Sequence, residues 1–154
     1  MDASCNAKPA VVAVVGPTAT GKTALGVALA QRFSGEVISA DSMQIYKEVS
    51  IGTAKASREE QAEVKHYLVD AHSVFEDFSV KNFVDEARSA IGEIAGKDKL
   101  PIIAGGTGFY VNALLNDMQL GDKEEEAASV DPEWEDFLAA NGPQALWEEL
   151  NKKD

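Results

Sequence analysis

The segment Gly16-Pro-Thr-Ala-Thr-Gly-Lys-Thr23 constrains this chain more than any other part of its sequence. It has the form Gly-x-x-x-x-Gly-Lys-Thr and follows the apolar run Val11–Val15 directly. Glycines let backbone N–H groups close around phosphate oxygens, and the N-terminus of the following helix adds positive potential. A glycine turn that only connects a strand to a helix is the alternative, and it would not require the lysine. We therefore predict a phosphate-binding loop made by Gly16, Pro17, Thr18, Ala19, Thr20, Gly21, Lys22 and Thr23.

The order of the predicted elements indicates an α/β fold with a parallel sheet. Strands are predicted at residues 11–15, 36–40 and 100–104, and the first of them is typical of a strand that is covered on both faces. A short strand at Tyr67–Val69 is a further candidate. Three strands are fewer than such a sheet usually contains, so we expect the front part of a longer P-loop NTPase-like fold.

Helices are predicted between these strands. The first ends at Gly35, and a capping-box sequence at Ser57–Glu60 begins a polar helix that reaches about His66. Apolar residues recur at helical spacing from Ser79 to Gly96, and another helix follows Gly105-Gly-Thr-Gly108. These segments predict helices on the faces of the sheet.

Charge divides the chain into two regions. The net charge is −12, of which residues 122–154 contribute −8 and residues 1–121 only −4. We therefore predict a partial α/β core over residues 1–121 and the start of an acidic helical insert over residues 122–154. A strongly acidic chain repels phosphate backbones at long range, so only a local site would bind nucleic acid.

The composition also limits the compartment. The longest apolar stretch, Pro9–Val15, is too short to span a bilayer, and no basic segment marks a signal peptide. Cys5 is the single cysteine and has no partner for an internal disulfide. We expect a cytoplasmic protein without a membrane partner, acting as a monomer. Cys5, His66 and His72 lack the spacing of zinc ligands.

The phosphate loop alone is compatible with more than one ligand. ATP or GTP is the default partner of such a loop, which would make the chain part of a nucleotide or small-molecule kinase. Asp41 follows the second predicted strand and is a candidate for organising Mg²⁺ near the Thr23 hydroxyl. A simple turn or capping role for Asp41 is the alternative.

Four sequence blocks together resemble the tRNA dimethylallyltransferase family, also called isopentenylpyrophosphate transferases. They are the phosphate loop, Asp41-Ser-Met-Gln-Ile-Tyr46, Ile51-Gly-Thr-Ala-Lys55 and Gly105-Gly-Thr-Gly-Phe-Tyr110. Their order and spacing agree with the family from residue 11 to about residue 120. Four blocks are far more specific than the phosphate loop by itself.

The resemblance implies transfer of a dimethylallyl group from dimethylallyl diphosphate to N6 of adenosine 37 in the anticodon loop of tRNA. The phosphate loop then holds the prenyl diphosphate, with Mg²⁺ on Thr23. By the same resemblance Asp41 is the general base, and Thr107 hydrogen-bonds near the reacting centre. The nucleotide-contacting residues it implies are Asp41, Ser42, Met43, Gln44 and Thr107.

The chain also departs from the family pattern. Val64-Lys65-His66 stands where the family has Pro-His-His, and we expect His66 to be structural rather than a ligand. Glu135 lies near the place where the helical insert of the family presents arginine to the tRNA backbone. Trp134, Phe137 and Leu138 are spaced to pack on one helix face.

Family members continue well beyond the length of this chain. The resemblance therefore implies a nearly complete site for the prenyl diphosphate and an incomplete grip on tRNA. Besides the prenyltransferase, two alternatives remain from the sequence. One is an ATP-dependent kinase, which the scarcity of arginine disfavours because a kinase lid is arginine-rich; the other is an inactive fragment that binds diphosphate.

Overall fold

A computed structural model describes residues 9–116, 118, 120 and 132–152 of the chain. The contact pattern divides the chain into two units, Met1–Gln119 and Leu120–Asp154. The first is an α/β unit and the second is helical. In chain order the elements are β1 (Val12–Val15), α1 (Lys22–Phe33), β2 (Gly35–Ser39), α2 (Arg58–Glu63), β3 (His66–Tyr67), α3 (Val80–Ala95), β4 (Leu100–Gly105), α4 (Gly108–Leu115) and α5 (Pro132–Leu150).

The first unit is built on a parallel sheet with the strand order β1-β4-β2-β3. Val15 pairs with Gly105, and Ala104 pairs with Ser39, so three strands end at the same edge. The phosphate loop follows β1, Asp41 follows β2, and the Gly106–Gly108 turn follows β4. Ligands of open parallel sheets bind at this carboxyl edge because the loops that follow the strands converge there.

The core lies on both faces of β2 and β4. Val37 and Ile102 pack with Val27 and Ala30 of α1 on one face. Their neighbours along the strands face the other way, where α3 contacts the same two strands. Ile38, Ile102 and Ile103 are fully buried. Burying each such side chain stabilises the fold by about 1.5–3 kcal/mol, so the central strands hold the carboxyl edge in place.

The prediction that β1 is covered on both faces is wrong for this chain. Val14 is buried, but Val15 is 57 % exposed and Ala13 is also exposed. The face of β1 that carries Val14 packs against α1. The helix on the other face, α3, lies against β2 and β4, because β1 is at the end of the strand order.

The sheet has four strands in the described residues, which are the three that the sequence predicted and the further candidate near Tyr67. The additional strand is β3, at His66–Tyr67 rather than Tyr67–Val69, and it pairs with Val37 and Ile38. Its existence shortens α2, which ends at Glu63 instead of near His66 because Val64 is already extended. The capping box at the start of α2 is confirmed: Ser57 and Glu60 satisfy each other's backbone N–H groups.

The end of α1 also differs from the prediction. Ser34, not Gly35, takes the left-handed conformation after the helix, with φ 52°. Gly35 instead begins β2, where a Cβ atom would lie 2.6 Å from the carbonyl oxygen of Leu100. The glycine is required for close approach of two strands rather than for ending a helix. The predicted end of α3 at Gly96 is confirmed.

In its described residues the second unit contains α5, which is interrupted at Gly142 (φ 79°, ψ 169°) before Pro143. Pro143 begins the second of the two helical segments. Trp134 and Phe137 contact each other edge to face at 5.8 Å. No residue of α5 is buried, and the predicted packing of this helix face stays a prediction. Asp131 and the acidic run 122–126 lie outside them.

Within the described ranges, no helix is both long enough and apolar enough to cross a bilayer.

Candidate active site

The predicted phosphate loop connects β1 to the start of α1. Gly21 is left-handed (φ 81°) and precedes α1 without a side-chain cap. The first N–H groups of α1 are therefore not satisfied by the residue that begins the helix. Lys22 donates from its ammonium group to the Pro17 carbonyl, and Thr20 donates to the same oxygen at 2.8 Å. These two bonds fold the loop back over the start of α1.

A cleft of about 520 Å³ opens beside this loop. Its walls come from four segments of the first unit that meet at the carboxyl edge of the sheet, together with Glu60 of α2. The lining residues are Thr18, Ala19, Gly21, Lys22, Thr23, Ala24, Asp41, Met43, Gln44, Val49, Ile51, Gly52, Thr53, Ala54, Glu60, Ala104 and Gly105. Eight predicted site residues therefore meet in one cavity.

The remaining predicted residues lie around this cleft rather than in its lining. Gly16 and Pro17 line a second groove of about 590 Å³ on the side of α4. Thr20 holds the loop through Pro17, as described above. Ser42 and Thr107 are bonded to each other at the ends of β2 and β4.

Asp41 is held by its own loop. Its Oδ1 atom accepts from the backbone N–H of Met43 at 3.0 Å and, more weakly, from that of Gln44 at 3.4 Å. Asp commonly closes a turn in this way. Both the capping role and the base role considered from the sequence are thus compatible with the position. The carboxylate remains in the cleft lining, within the same cavity as Lys22 and Thr23.

The loops after β2 and β4 are joined through Thr107. Its N–H donates to the Ala40 carbonyl at 3.2 Å, and its hydroxyl accepts from the N–H of Ser42 at 2.9 Å. The same hydroxyl donates to Ser42 Oγ at 3.3 Å. Gly105 allows this approach, since a Cβ atom there would lie 2.1 Å from the carbonyl oxygen of Ala40. The Thr107 hydroxyl therefore positions the segment that carries Asp41.

Gln44 has a structural environment that the sequence did not predict. Its amide nitrogen donates to the carbonyls of Thr53 (3.2 Å) and Ala54 (3.0 Å), and its amide oxygen accepts from Ser39 Oγ at 3.1 Å. Both amide hydrogens are therefore used within the protein. The nucleotide contact that the resemblance implies for Gln44 stays a prediction, with one lone pair of the oxygen left for it.

Sequence reasoning did not identify the segment 49–54 as part of the site. It lines the cleft over five of its six residues. The Ile51-Gly-Thr-Ala-Lys55 block contains the signal, but in the sequence it serves only as a mark of the family. Its apolar side chains carry no chemistry of their own, so a search for reactive groups passes over them.

His72 anchors the segment behind the Asp41 loop. Its backbone exchanges hydrogen bonds with Ile45 and Lys47 at 3.0 and 2.9 Å. Its ring contacts two carboxylates, with Nδ1 at 3.0 Å from Glu76 and Nε2 at 2.8 Å from Glu86. Burial lowers the pKa of His72, but the hydrogen bonds and charges of Glu86 and Glu76 outweigh it, and the pKa is raised overall. Both ring nitrogens donate when the imidazole is protonated.

The raised pKa of His72 predicts a pH-dependent stability. The stabilisation is fully present below the ordinary pKa of about 6.5 and is lost as the pH rises through the raised value. We expect His72→Gln to lower Tm by about 2–4 °C at pH 5.5, and by less at pH 9. Thermal unfolding of both proteins at the two pH values measures this. Glu86→Gln should remove part of the same pH dependence, whereas an equal loss at both pH values would contradict the prediction.

Comparisons with known proteins agree with the resemblance. The family model described as IPP transferase matches residues 44–154. A tRNA dimethylallyltransferase of Lactobacillus delbrueckii subsp. bulgaricus is 88 % identical over 144 residues, which cover 94 % of this chain and 47 % of the relative.

Solved structures agree as well. The full-length tRNA isopentenylpyrophosphate transferase of Bacillus halodurans is 46 % identical with a TM-score of 0.71, over 96 % of this chain and 48 % of that one. A eukaryotic dimethylallyltransferase acting on tRNA has a TM-score of 0.73 at 32 % identity, over 94 % of this chain and 36 % of that one. The chain thus spans about half of the bacterial relatives and a smaller share of the eukaryotic one. The four sequence blocks of the resemblance lie in one α/β unit that contains the predicted phosphate loop. Because the family model also matches most of the chain's length, the chain belongs to the IPP transferase family.

Proposed function

We propose that this chain forms the donor-binding part of a tRNA prenyltransferase. The reaction transfers the dimethylallyl group of dimethylallyl diphosphate to N6 of adenosine 37 in tRNA and releases diphosphate. The observation that carries the proposal is that Lys22, Thr23 and Asp41 line the same cleft. One end of the cleft suits a diphosphate, and the carboxylate suits the amine that attacks. The names of the relatives support the same reaction.

The phosphate loop serves the leaving group. As the bond between the allylic carbon and its oxygen breaks, the electron pair passes to the diphosphate, whose charge increases. Lys22 and the backbone N–H groups at the start of α1 stabilise that charge. The Pro17 carbonyl that holds Lys22 is replaced by the phosphate oxygens. This makes the allylic carbon electrophilic enough for a weak nucleophile.

Asp41 serves the nucleophile. The exocyclic amine of adenine is weakly nucleophilic because its lone pair is delocalised into the ring. When N6 bonds to the allylic carbon it must lose a proton, and Asp41 accepts it. Thr107 and the turn bonds from Met43 and Gln44 keep the carboxylate in place. The adenine leaves its stack to reach this site.

The cleft also fits a magnesium ion. The Thr23 hydroxyl is a hard oxygen donor in the cleft lining, which is the donor type that Mg²⁺ prefers, and this assignment leaves the Asp41 carboxylate to accept the proton. Among the described residues no group of three or more His, Cys, Asp and Glu could hold a metal. A small number of protein ligands is typical of Mg²⁺ that is bound largely through substrate phosphates. Bound there, the ion would neutralise charge on the diphosphate.

The tRNA contact proposed for this chain is local. The first unit carries no large excess of basic residues, so long-range attraction of the anticodon loop must come from elsewhere in a complete enzyme. The reactive base would be the main contact here, at Asp41, Ser42, Met43, Gln44 and Thr107. Because the proposed substrate is tRNA, we expect the cytoplasm as the place of action.

Calorimetric titration of this chain with Mg²⁺ and either dimethylallyl diphosphate or ATP tests the proposal. We expect the prenyl diphosphate to bind more tightly than ATP. The Lys22→Ala variant should bind it about 10- to 100-fold more weakly, because a charge-assisted hydrogen bond contributes about 1.5–3 kcal/mol. Preference for ATP would favour a kinase instead. Binding of neither ligand by a folded chain would contradict donor binding by this half.

A further inference from the structure

Residues 47–54 form a loop, called the 47–54 loop below, that makes one wall of the cleft and has few apolar contacts with the core. Val49, Ile51, Gly52, Thr53 and Ala54 line the cavity. Ile51 is 98 % exposed, so no apolar contact holds the tip of this loop. The loop has to be held by polar bonds at its ends.

Besides the Gln44 amide, which bonds to the carboxyl end of the loop, Lys55 makes such bonds. Its side chain is only 8 % exposed, and its ammonium lies 2.6 Å from Asp70 Oδ1. The same ammonium donates to the carbonyl of Tyr46 and lies 3.5 Å from Ser50 Oγ. One charge therefore binds both ends of the loop, at Tyr46 and at Lys55 itself. Asp70 is bonded in turn to the Asp41 loop, through its N–H to the Gln44 carbonyl at 3.1 Å.

A buried ammonium is costly unless it is paired and hydrogen-bonded. Here the three protons of Lys55 meet a carboxylate, a carbonyl and a hydroxyl. The buried stem of Lys55 also packs, and its three bonds add to those of Gln44 in fixing the position of a loop that faces the cleft.

The chemistry of the wall indicates which part of the donor it contacts. The phosphate loop contributes Lys22, Thr23 and backbone N–H groups, which suit the diphosphate. Val49 and Ile51 contribute apolar side chains to the same cavity, which suit a hydrocarbon chain. The two ends of a prenyl diphosphate thus find matching surfaces in one cleft.

We infer that Lys55 and Asp70 are positioning residues that hold the 47–54 loop against the prenyl chain of the donor. The inference rests on the proposed function, because it names the surface that would recognise the hydrocarbon part of that substrate. Neither residue touches the ligand; each acts through the position of Val49 and Ile51.

Binding of two probes to this chain separates the pair's role from general stability. Kd values are measured by calorimetry with Mg²⁺ for dimethylallyl diphosphate and for inorganic diphosphate. Lys55→Met and Asp70→Asn should each weaken binding of the prenyl compound about five- to tenfold. Binding of inorganic diphosphate, which reports only the phosphate loop, should change less than about twofold, and the double variant should lose little more than either single one because the two residues act as a unit.

Lys65→Met is the matched control, since Lys65 is 51 % exposed and pairs with Glu93 away from the cleft. It should leave both Kd values unchanged. Asp70→Asn keeps the shape of the side chain, so it tests the pair even if Lys55→Met does not fold. An unchanged preference for the prenyl compound in Asp70→Asn would overturn the inference, and so would an equal loss of both ligands. A wild-type chain that binds the two probes equally would instead overturn the proposed function.

Discussion

Replacing Asp41 by asparagine is expected to lower kcat for prenyl transfer about 10²–10⁴-fold, the usual contribution of a positioned general base. Asparagine retains an oxygen that can accept the turn bonds from Met43 and Gln44, so the loop should keep its shape. It cannot accept the proton that N6 loses. Because the diphosphate is held by the phosphate loop, Kd for dimethylallyl diphosphate should change less than about twofold.

The assay needs a complete enzyme. Since the chain spans about half of its bacterial relatives, it can be joined to the remaining half of the Lactobacillus delbrueckii protein, which is 88 % identical over the shared part. Transfer to a tRNA anticodon stem-loop is then measured under saturating donor. Asp85→Asn is the matched control, because Asp85 is exposed on α3 and does not line the cleft. Retention of full activity by Asp41→Asn would show that another group accepts the proton.

Replacing Gly105 by alanine is expected to cost about 3 kcal/mol or more of unfolding free energy. The new Cβ atom would lie 2.1 Å from the carbonyl oxygen of Ala40 and 2.3 Å from its carbonyl carbon. Both contacts are with backbone, so relief requires β2 and β4 to separate at the edge that carries the site. Overpacking of this kind costs about 1–3 kcal/mol, and more when the neighbour cannot move. Diphosphate binding should weaken as well.

Urea unfolding of this chain measures the effect. Gly92→Ala is the matched control, since nothing lies within 4 Å of a Cβ atom at that position in α3. An alanine in the interior of a helix should stabilise it by about 0.5–1 kcal/mol. A Gly105→Ala protein as stable as the wild type would mean that the two strands do not approach this closely.

Much of the site could be predicted from sequence because its parts are local. The phosphate loop is a motif of eight consecutive residues that lies between a strand and a helix and has glycines at two fixed positions. Asp41 and Thr107 were accessible through short blocks that follow predicted strands. The capping box at Ser57–Glu60 could also be predicted from the sequence, because its two hydrogen bonds lie within four residues.

The errors arose where pairing between distant segments decides the structure. The candidate strand at Tyr67–Val69 has only a weak pattern of its own, and pairing with β2 places it at His66–Tyr67 instead. Gly35 was interpreted as the end of a helix because glycine favours that place, while the constraint on it comes from Leu100, far along the chain. The composition of β1 indicated two covered faces, but strand order placed it at the end of the sheet.

The phosphate loop, the alternation of helices and strands and the family could all be predicted without a structure. Each depends on residues close together in sequence or on short blocks in a fixed order. Three further features required the folded chain: the Gln44 amide is used within the protein, Thr107 holds the Asp41 segment, and Lys55 and Asp70 support one wall of the cleft. Those contacts join residues up to 65 positions apart. Such contacts form because strand order brings loop ends together, and no local preference of the chain encodes that order.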